Sequence, residues 1–306
     1  MLTRRAFTGA TGTLLALSTL PLSTMGEDLP VIRKPIPSSG EMIPVIGMGT
    51  SRTFDAGADA ETVARLGQVL AAFFAGGGSV IDSSPMYGQA ESRVGDVLRG
   101  MSSRPPVFAA TKVWTEGKEA GIAQMQESAR RMAVDRFDLM AVHNLKDWQT
   151  HLATLKQWKD EGKVRYIGIT TSHGRFHTEL LEIMRKEPLD FVQFSYNIDN
   201  LVAEEALLPL SRERGIATMI NRPFQRGSLF ARAKGQPLPE IAADLGCVSW
   251  GQFFLKFIAG HPAVTNIIPA TSKVHHMEDN MGANVGALPD EQQRAEMLRA
   301  FRALPA

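Results

Sequence analysis

The chain has 306 residues, 44% of them hydrophobic, which is enough for a large core in one or two domains and, with no low-complexity tract, excludes a disordered chain. Its formal net charge of +1, with no block of like charge, excludes the basic stripe that a nucleic-acid partner requires. The single cysteine, Cys247, has no partner for a disulfide and reads as a small buried hydrophobe.

The first 26 residues, MLTRRAFTGATGTLLALSTLPLSTMG, carry Arg4 and Arg5, then a mildly apolar run, and no acidic residue. A basic start followed by a short apolar segment is the layout of a secretory signal. The run is too short and too rich in Gly, Ser and Thr for a good membrane span. Thr3-Arg4-Arg5-Ala6-Phe7 resembles the twin-arginine export motif, which implies transport of a folded protein by the export machinery into the periplasm. Uncleaved, the segment would serve as an anchor, and the bland alternative is an N-terminal tail. Residues 1–26 are therefore expected to be a signal peptide and 27–306 a single domain, whose net charge falls to about −1 without Arg4 and Arg5.

Beyond it, VIRKPIPSSGEMIPV (31–45) predicts a hairpin turning at Ser-Ser-Gly. Strand-like runs follow at 44–50, 79–84, 107–113, 137–144, 164–171, 191–197, 216–224 and 266–271. Most are continuous and β-branched, not alternating, as in strands buried on both faces of a parallel sheet. Helical patterns lie between them. Residues 60–74 place Val63, Leu66, Val69, Leu70 and Phe73 on one face, and 120–133, 147–162 and 177–187 follow suit. Gly162 and Gly215 fall just past helices, where a left-handed cap is wanted. Eight strands alternating with helices predict an α/β fold, a (β/α)8 TIM barrel with an N-terminal β-hairpin across its bottom. The rival is an open doubly wound sheet. It usually shows G-x-G-x-x-G after its first strand, and GMGTSRTF lacks the third glycine.

In such a barrel the active site lies at the strands' C-terminal ends. Asp82, Tyr87, Lys112 and His143 fall there, on strands about 4.8 Å apart, so their side chains can converge. Each alone has a structural reading: a turn cap, a packed ring, a snorkelling lysine, a satisfied core histidine. Together they form a working acid. Tyr87 is the proton donor, and Lys112 is expected to lower its pKa. Asp82 keeps Lys112 charged, and His143 orients a carbonyl oxygen.

These stretches resemble the aldo-keto reductase superfamily over about residues 40 to 285. VIDSSPMYGQAE is similar to the family's D-T-A-x-x-Y-G-x-E, AATKVW to its T-K motif and RFDLMAVHN to its D-L-x-x-x-H. GKVRYIGITT is similar to G-K-x-R-x-x-G-x-S/T-N, and IPATSKVHHMEDN to the closing I-P-G-T-x-x-x-x-x-x-x-E-N. The resemblance implies NADP(H) chemistry on an aldehyde, ketone or sugar carbonyl, with Tyr87 as general acid supported by Lys112, Asp82 and His143. It implies that Gln193 contacts the nicotinamide carboxamide, with Thr170 and Thr171 standing where Ser-Asn is usual. Thr271, Ser272, Asp279 and Asn280 match the adenosine-binding segment, and a helix starting near Lys273 would present N–H groups to a phosphate. His276 stands where an Arg often holds the 2′-phosphate, with Lys273 as its substitute, so NAD remains the alternative cofactor. Asn221-Arg222 replace a Tyr-Ser pair, which removes a stacking ring and leaves Arg222 for a cofactor phosphate or the ring edge.

Phe54, Met86, Trp114, Asn144 and Trp148 are candidates for the pocket rim, with the equal alternative for Trp148 that it belongs to the next helix and packs inward. A metal-dependent hydrolase is disfavoured, because His275-His276 is the one adjacent histidine pair in the sequence and adjacent helix positions do not face one ligand. The alternative from another class is a non-catalytic, cofactor-binding barrel acting as a binding or regulatory subunit. A monomer is expected. Export of a reductase poses a further condition: cofactor bound before export would have to travel with it.

Overall fold

The computed structural model describes residues 29–103, 105–172 and 174–305, so the signal expected over 1–26 lies outside the described residues. The hairpin forms from β1 (Arg33–Pro35) and β2 (Met42–Pro44), antiparallel, with Lys34 opposite Ile43. Then come β3 (Met48–Gly49), β4 (Val80–Asp82), β5 (Phe108–Val113), β6 (Phe137–His143) and β7 (Val164–Thr170). β8 (Phe191–Ser195), β9 (Ala217–Asn221) and β10 (Asn266–Ile267) complete one eight-stranded sheet in chain order, each strand parallel to its neighbours. Bridges Ile46–Ile267 and Gly49–Ala270 join the first strand to the last and close the barrel.

The two seam strands are shorter than the sequence predicts. Their ladder survives as single bridges, helped by Gly49 N–H donating to Pro269 O at 2.9 Å. Gly49 is required here for room: a Cβ would lie 2.9 Å from the Ile268 carbonyl oxygen.

Helices alternate with the strands: α1 (Ala60–Ala75), α2 (Ala90–Gly100), α3 (Lys118–Met132), α4 (Trp148–Asp160), α5 (His177–Lys186) and α6 (Leu207–Arg214). Between β9 and β10 lie α7 (Ser228–Ala233), α8 (Ile241–Asp244) and α9 (Trp250–Ala259), and α10 (Val274–Gly282) and α11 (Glu291–Arg302) follow. Asp59 caps α1 by accepting from Thr62 N–H at 2.9 Å, and the helix buries Leu66, Val69, Leu70 and Phe73, with Val63 half-buried at the edge of the same face. Gly162 and Gly215 take φ of 72° and 63°, the left-handed conformation foreseen for them. In α9 every residue after Trp250 is buried, so that helix has no polar face.

The hairpin closes the barrel's N-terminal end. Its Ile36 and Ile43 pack on Val80, Phe108, Leu139, Tyr166, Phe191 and Ala217, which stand at or near the starts of the strands. The Tyr166 hydroxyl donates to Glu41 at 2.6 Å and meets Ser39 Oγ at 2.7 Å, fixing the turn to the barrel. With the bottom plugged, the open end of the barrel is the C-terminal one.

Candidate active site

A cleft of about 610 Å³ opens at that end. Asp82, Met86, Tyr87, His143, Asn144, Thr170, Gln193, Asn221 and Arg222 line it, drawn from the ends of β4 and β6 to β9 and the loops beyond them.

Lys112, fully buried on β5, donates to both Asp82 carboxylate oxygens at 2.7 Å and to Ser83 O at 2.6 Å. Its ammonium lies 5.2 Å from the Tyr87 ring centre. Burial works against a charged Lys112, but Asp82 and Tyr87 outweigh it and raise its pKa. Burial pushes the Asp82 carboxyl up, opposed by Lys112 and by Gln193 Nε2, which donates to Asp82 Oδ1 at 3.2 Å.

The sequence predicts a lowered pKa for Tyr87, and the structure corrects this. Burial raises it, and Lys112 pulls the other way without cancelling the effect. Desolvation of a phenolate at the cleft floor outweighs one nearby cation that is already neutralised by Asp82. His143 meets the Tyr87 ring edge-on, with centres 5.7 Å apart. Burial, with help from Lys112, holds His143 well below the ordinary histidine value, so its ring is neutral near pH 7.

The residues expected around the nicotinamide divide. Thr170 and Gln193 face the cleft, Thr170 Oγ1 donating to Gln193 Oε1 at 2.9 Å. Thr171 is fully buried behind them, its N–H bonded to Gln193 O and its carbonyl accepting from Asn221 Nδ2 at 3.1 Å. Arg222 opens a loop in which Arg222, Gln225 and Arg226 all take left-handed φ near 50° (51°, 49° and 58°). Gly227 ends that left-handed run, and a Cβ there would meet nothing within 4 Å. Arg52 and Arg226 line the cleft as well, and none of these three guanidiniums has an ion pair among the described residues. Burial and then repulsion from Arg226 and Arg52 lower the Arg222 pKa, a crowding that a bound anion relieves.

The predicted adenosine segment lies beyond β10. Thr271 is buried, and its hydroxyl accepts from Lys273 N–H at 3.1 Å, shaping the entry to α10. Lys273 is the exposed residue before that helix, and the Ser272 carbonyl accepts from Arg65 of α1 at 3.1 Å. His276 is exposed, its ring edge-on to that of His275 with centres 4.3 Å apart, and partial burial with His275 and Lys273 lowers its pKa. Asp279 is engaged inside the fold: its carboxylate accepts from Ser249 Oγ at 2.8 Å and from Gln252 Nε2 at 3.0 Å. Asn280 is buried on the inner face of α10.

The aldo/keto reductase family model matches residues 45–296. The chain belongs to the aldo/keto reductase family. It is an oxidoreductase by that membership. Among curated proteins it is similar to the methylglyoxal reductase YeaE of Escherichia coli, 27% identical over 282 residues that span 90% of this chain and 96% of that one. It is also 26% identical over 268 residues to the aldo-keto reductase str7 of Strobilurus tenacellus, covering 74% and 79% of the two chains. The structure of an aldo/keto reductase from Klebsiella pneumoniae in complex with NADP and acetate superposes with a TM-score of 0.70 at 24% identity, over 86% of this chain and 93% of that one, and shares the fold.

For an aldo/keto reductase, the pocket rim differs from the sequence expectation at Phe54, and Trp148 takes the inward of its two readings. Phe54 is fully buried in the main core. Trp148 packs against the core from the start of α4, its indole N–H donating to Glu179 at 3.2 Å. Met86 and Asn144 do line the cleft, and Trp114 stands 38% exposed with its ring 6.5 Å from that of His143. Residues that sequence reasoning missed are Ser84, Arg52, Arg65 and Arg226. Arg65 carries no local signal, because its partner is 207 positions away. Ser84 was visible as a departure: the family pattern D-T-A-x-x-Y-G has alanine at its position.

Proposed function

We propose that this chain is an NADP-dependent reductase of an aldehyde, ketone or sugar carbonyl, with Tyr87 as general acid. The observation that carries this reading is the meeting of Tyr87, the Lys112–Asp82 ion pair and neutral His143 at the floor of one cleft. A bound nicotinamide cofactor supplies the hydride. The residues handle the oxygen. His143, being neutral, offers a ring N–H to the carbonyl oxygen and orients it. Burial keeps the Tyr87 hydroxyl protonated near pH 7, so it has a proton to give to that oxygen. The phenolate left behind faces the Lys112 ammonium, which Asp82 keeps charged.

The donor set fits such a cofactor. Gln193, Thr170 and Asn221 bring amide and hydroxyl groups to the middle of the cleft, where a carboxamide would be held. Arg222 and Arg226, beside the open backbone at Gly227, suit a diphosphate. Lys273 and Arg65 are the cations nearest the expected 2′-phosphate end, which favours NADP over NAD.

Tryptophan fluorescence of the purified chain, titrated with NADPH and NADH in parallel, tests the reading, with Trp114 as the reporter beside His143. We expect saturable quenching, stronger for NADPH. Turnover of a carbonyl panel should fall about 100-fold or more in Tyr87→Phe while cofactor binding is kept. Binding without turnover of any carbonyl would leave a cofactor-binding barrel, and no binding of either nucleotide would sink the reading altogether. Residues 1–26 we read as an export signal, on the Arg4–Arg5 pair and the apolar run behind it. Cofactor taken up before export would then serve the enzyme outside the cytoplasm. Retention of an Arg4→Lys, Arg5→Lys variant in the cytoplasmic fraction is the expected result, and unchanged fractionation would count against it.

A further inference from the structure

Ser84 lies two residues past the end of β4 and is fully buried. Among the described residues its side-chain oxygen has two hydrogen-bond partners. Met86 N–H lies 3.2 Å away and can only donate, so the Ser84 oxygen accepts there. His143 Nδ1 lies 2.8 Å away, and between a hydroxyl and an imidazole nitrogen either can donate. Were the proton on Nδ1, both neighbours would donate to Ser84, and its own O–H would be left in a buried site without an acceptor. Were Nδ1 bare, the hydroxyl would donate to it and every group would be satisfied. Leaving a buried donor unmade is the costlier arrangement.

We propose that Ser84 is a positioning residue: its hydroxyl donates to His143 Nδ1 and thereby fixes the imidazole in the tautomer that carries its proton on Nε2, the nitrogen left for the cleft. His143 is a wall residue of that cleft. The consequence for carbonyl reduction rests on the reading of the preceding subsection; the tautomer itself does not. An Nε2–H is a donor to a carbonyl oxygen, whereas a bare Nε2 would repel it. The same residue also sets the turn that carries the acid. Its carbonyl accepts from Tyr87 N–H at 2.9 Å while its hydroxyl oxygen accepts from Met86 N–H. The spacing Asp-x-Ser thus sends Asp82 to Lys112 on β5 and Ser84 to His143 on β6, so one strand end orients both helpers of Tyr87. Alanine, the residue of the family pattern at this position, cannot do this.

The test is long-range proton–nitrogen correlation NMR of the nitrogen-15-labelled full chain, free of cofactor, near neutral pH. The His143 signals are assigned by their loss in His143→Gln. We expect wild-type His143 to show a protonated Nε2 and an unprotonated Nδ1, and Ser84→Ala to show mixed tautomers. In Ser84→Ala, kcat/KM for a carbonyl should fall about fivefold, the worth of one hydrogen bond, with cofactor affinity unchanged. A wild-type ring protonated on Nδ1 overturns the proposal, and so do unchanged tautomer signals in Ser84→Ala whatever its activity. Altered tautomers with full kcat/KM overturn the positioning role. Should Ser84→Ala fail to fold, the wild-type spectrum still decides. A chain with no reductase activity but an Nε2–H tautomer would reject the proposed function and leave the Ser84–His143 arrangement standing.

Discussion

Lys112 Nζ lies 2.7 Å from each carboxylate oxygen of Asp82, with the lysine fully buried and the aspartate side chain 4% exposed. The pair joins β4 to β5 at the cleft floor. Removing one partner strands the other charge away from water. Lys112→Met is expected to lower unfolding free energy by about 3–5 kcal/mol. The double variant Asp82→Asn, Lys112→Met should lose clearly less than the sum of the singles, because no uncompensated charge remains. Urea unfolding of the four proteins measures this, and additive losses would show that the two side chains are not coupled.

Stability should fall as the solution is acidified through the histidine range. Burial, with Lys112 assisting, holds His143 well below 6.5, and burial with Arg294 brings His261 down to about 4. In the folded chain both stay neutral where the unfolded chain binds a proton on each. The unfolded state therefore holds more protons below about pH 6.5, and stability declines from there toward about pH 4. His261 Nδ1 accepts from Ala263 N–H at 3.1 Å, a role that an asparagine oxygen can take over. The decline between about pH 6.5 and about pH 5 should be shallower in His261→Asn than in wild type. Equal slopes would assign the acid sensitivity to other groups.

Cofactor preference should depend on Lys273 and Arg65 more than on His276. Lys273 and the Arg65 guanidinium flank Ser272, and His276 is kept largely neutral by partial burial, His275 and Lys273. Lys273→Ala and Arg65→Ala should each weaken NADPH binding about tenfold, the worth of a charge-assisted hydrogen bond, and leave NADH binding nearly unchanged. His276→Asn should change NADPH affinity less than about twofold near pH 7.5. Fluorescence titrations decide it, and a larger loss in His276→Asn than in Lys273→Ala would reverse the assignment.

Gly95 in α2 is a packing requirement. A Cβ there would lie 1.8 Å from the Arg131 carbonyl oxygen near the end of α3. By helix propensity alone, Gly95→Ala should stabilise by about 1 kcal/mol. The clash with backbone that cannot swing away should win, giving a net loss of about 1–3 kcal/mol. A gain in melting temperature would show that the two helices can part freely.

The eight strand positions, the hairpin and the helices between them were legible because they depend on short-range pattern. Continuous β-branched runs mark doubly buried strands, and Gly162 and Gly215 mark left-handed helix ends. The grouping of Asp82, Tyr87, Lys112 and His143 followed from the same rhythm, since strand ends of a parallel barrel share one rim. Less was legible at β3 and β10, where closure of the barrel cuts the ladder to single bridges.

Sequence alone thus determined the order of elements, the barrel and which strand ends carry polar groups. Only the tertiary structure decided what each polar group experiences. Tyr87 is pushed up and not down, because desolvation depends on all the atoms around the cleft floor. Phe54 and Thr171 turn inward, Asp279 is spent on Ser249 and Gln252, and Arg65 reaches Ser272. Ser84 meets His143 across 59 positions of chain. These contacts depend on how strands register and how the sheet closes, and burial and charge are sums over neighbours that no local stretch of sequence contains.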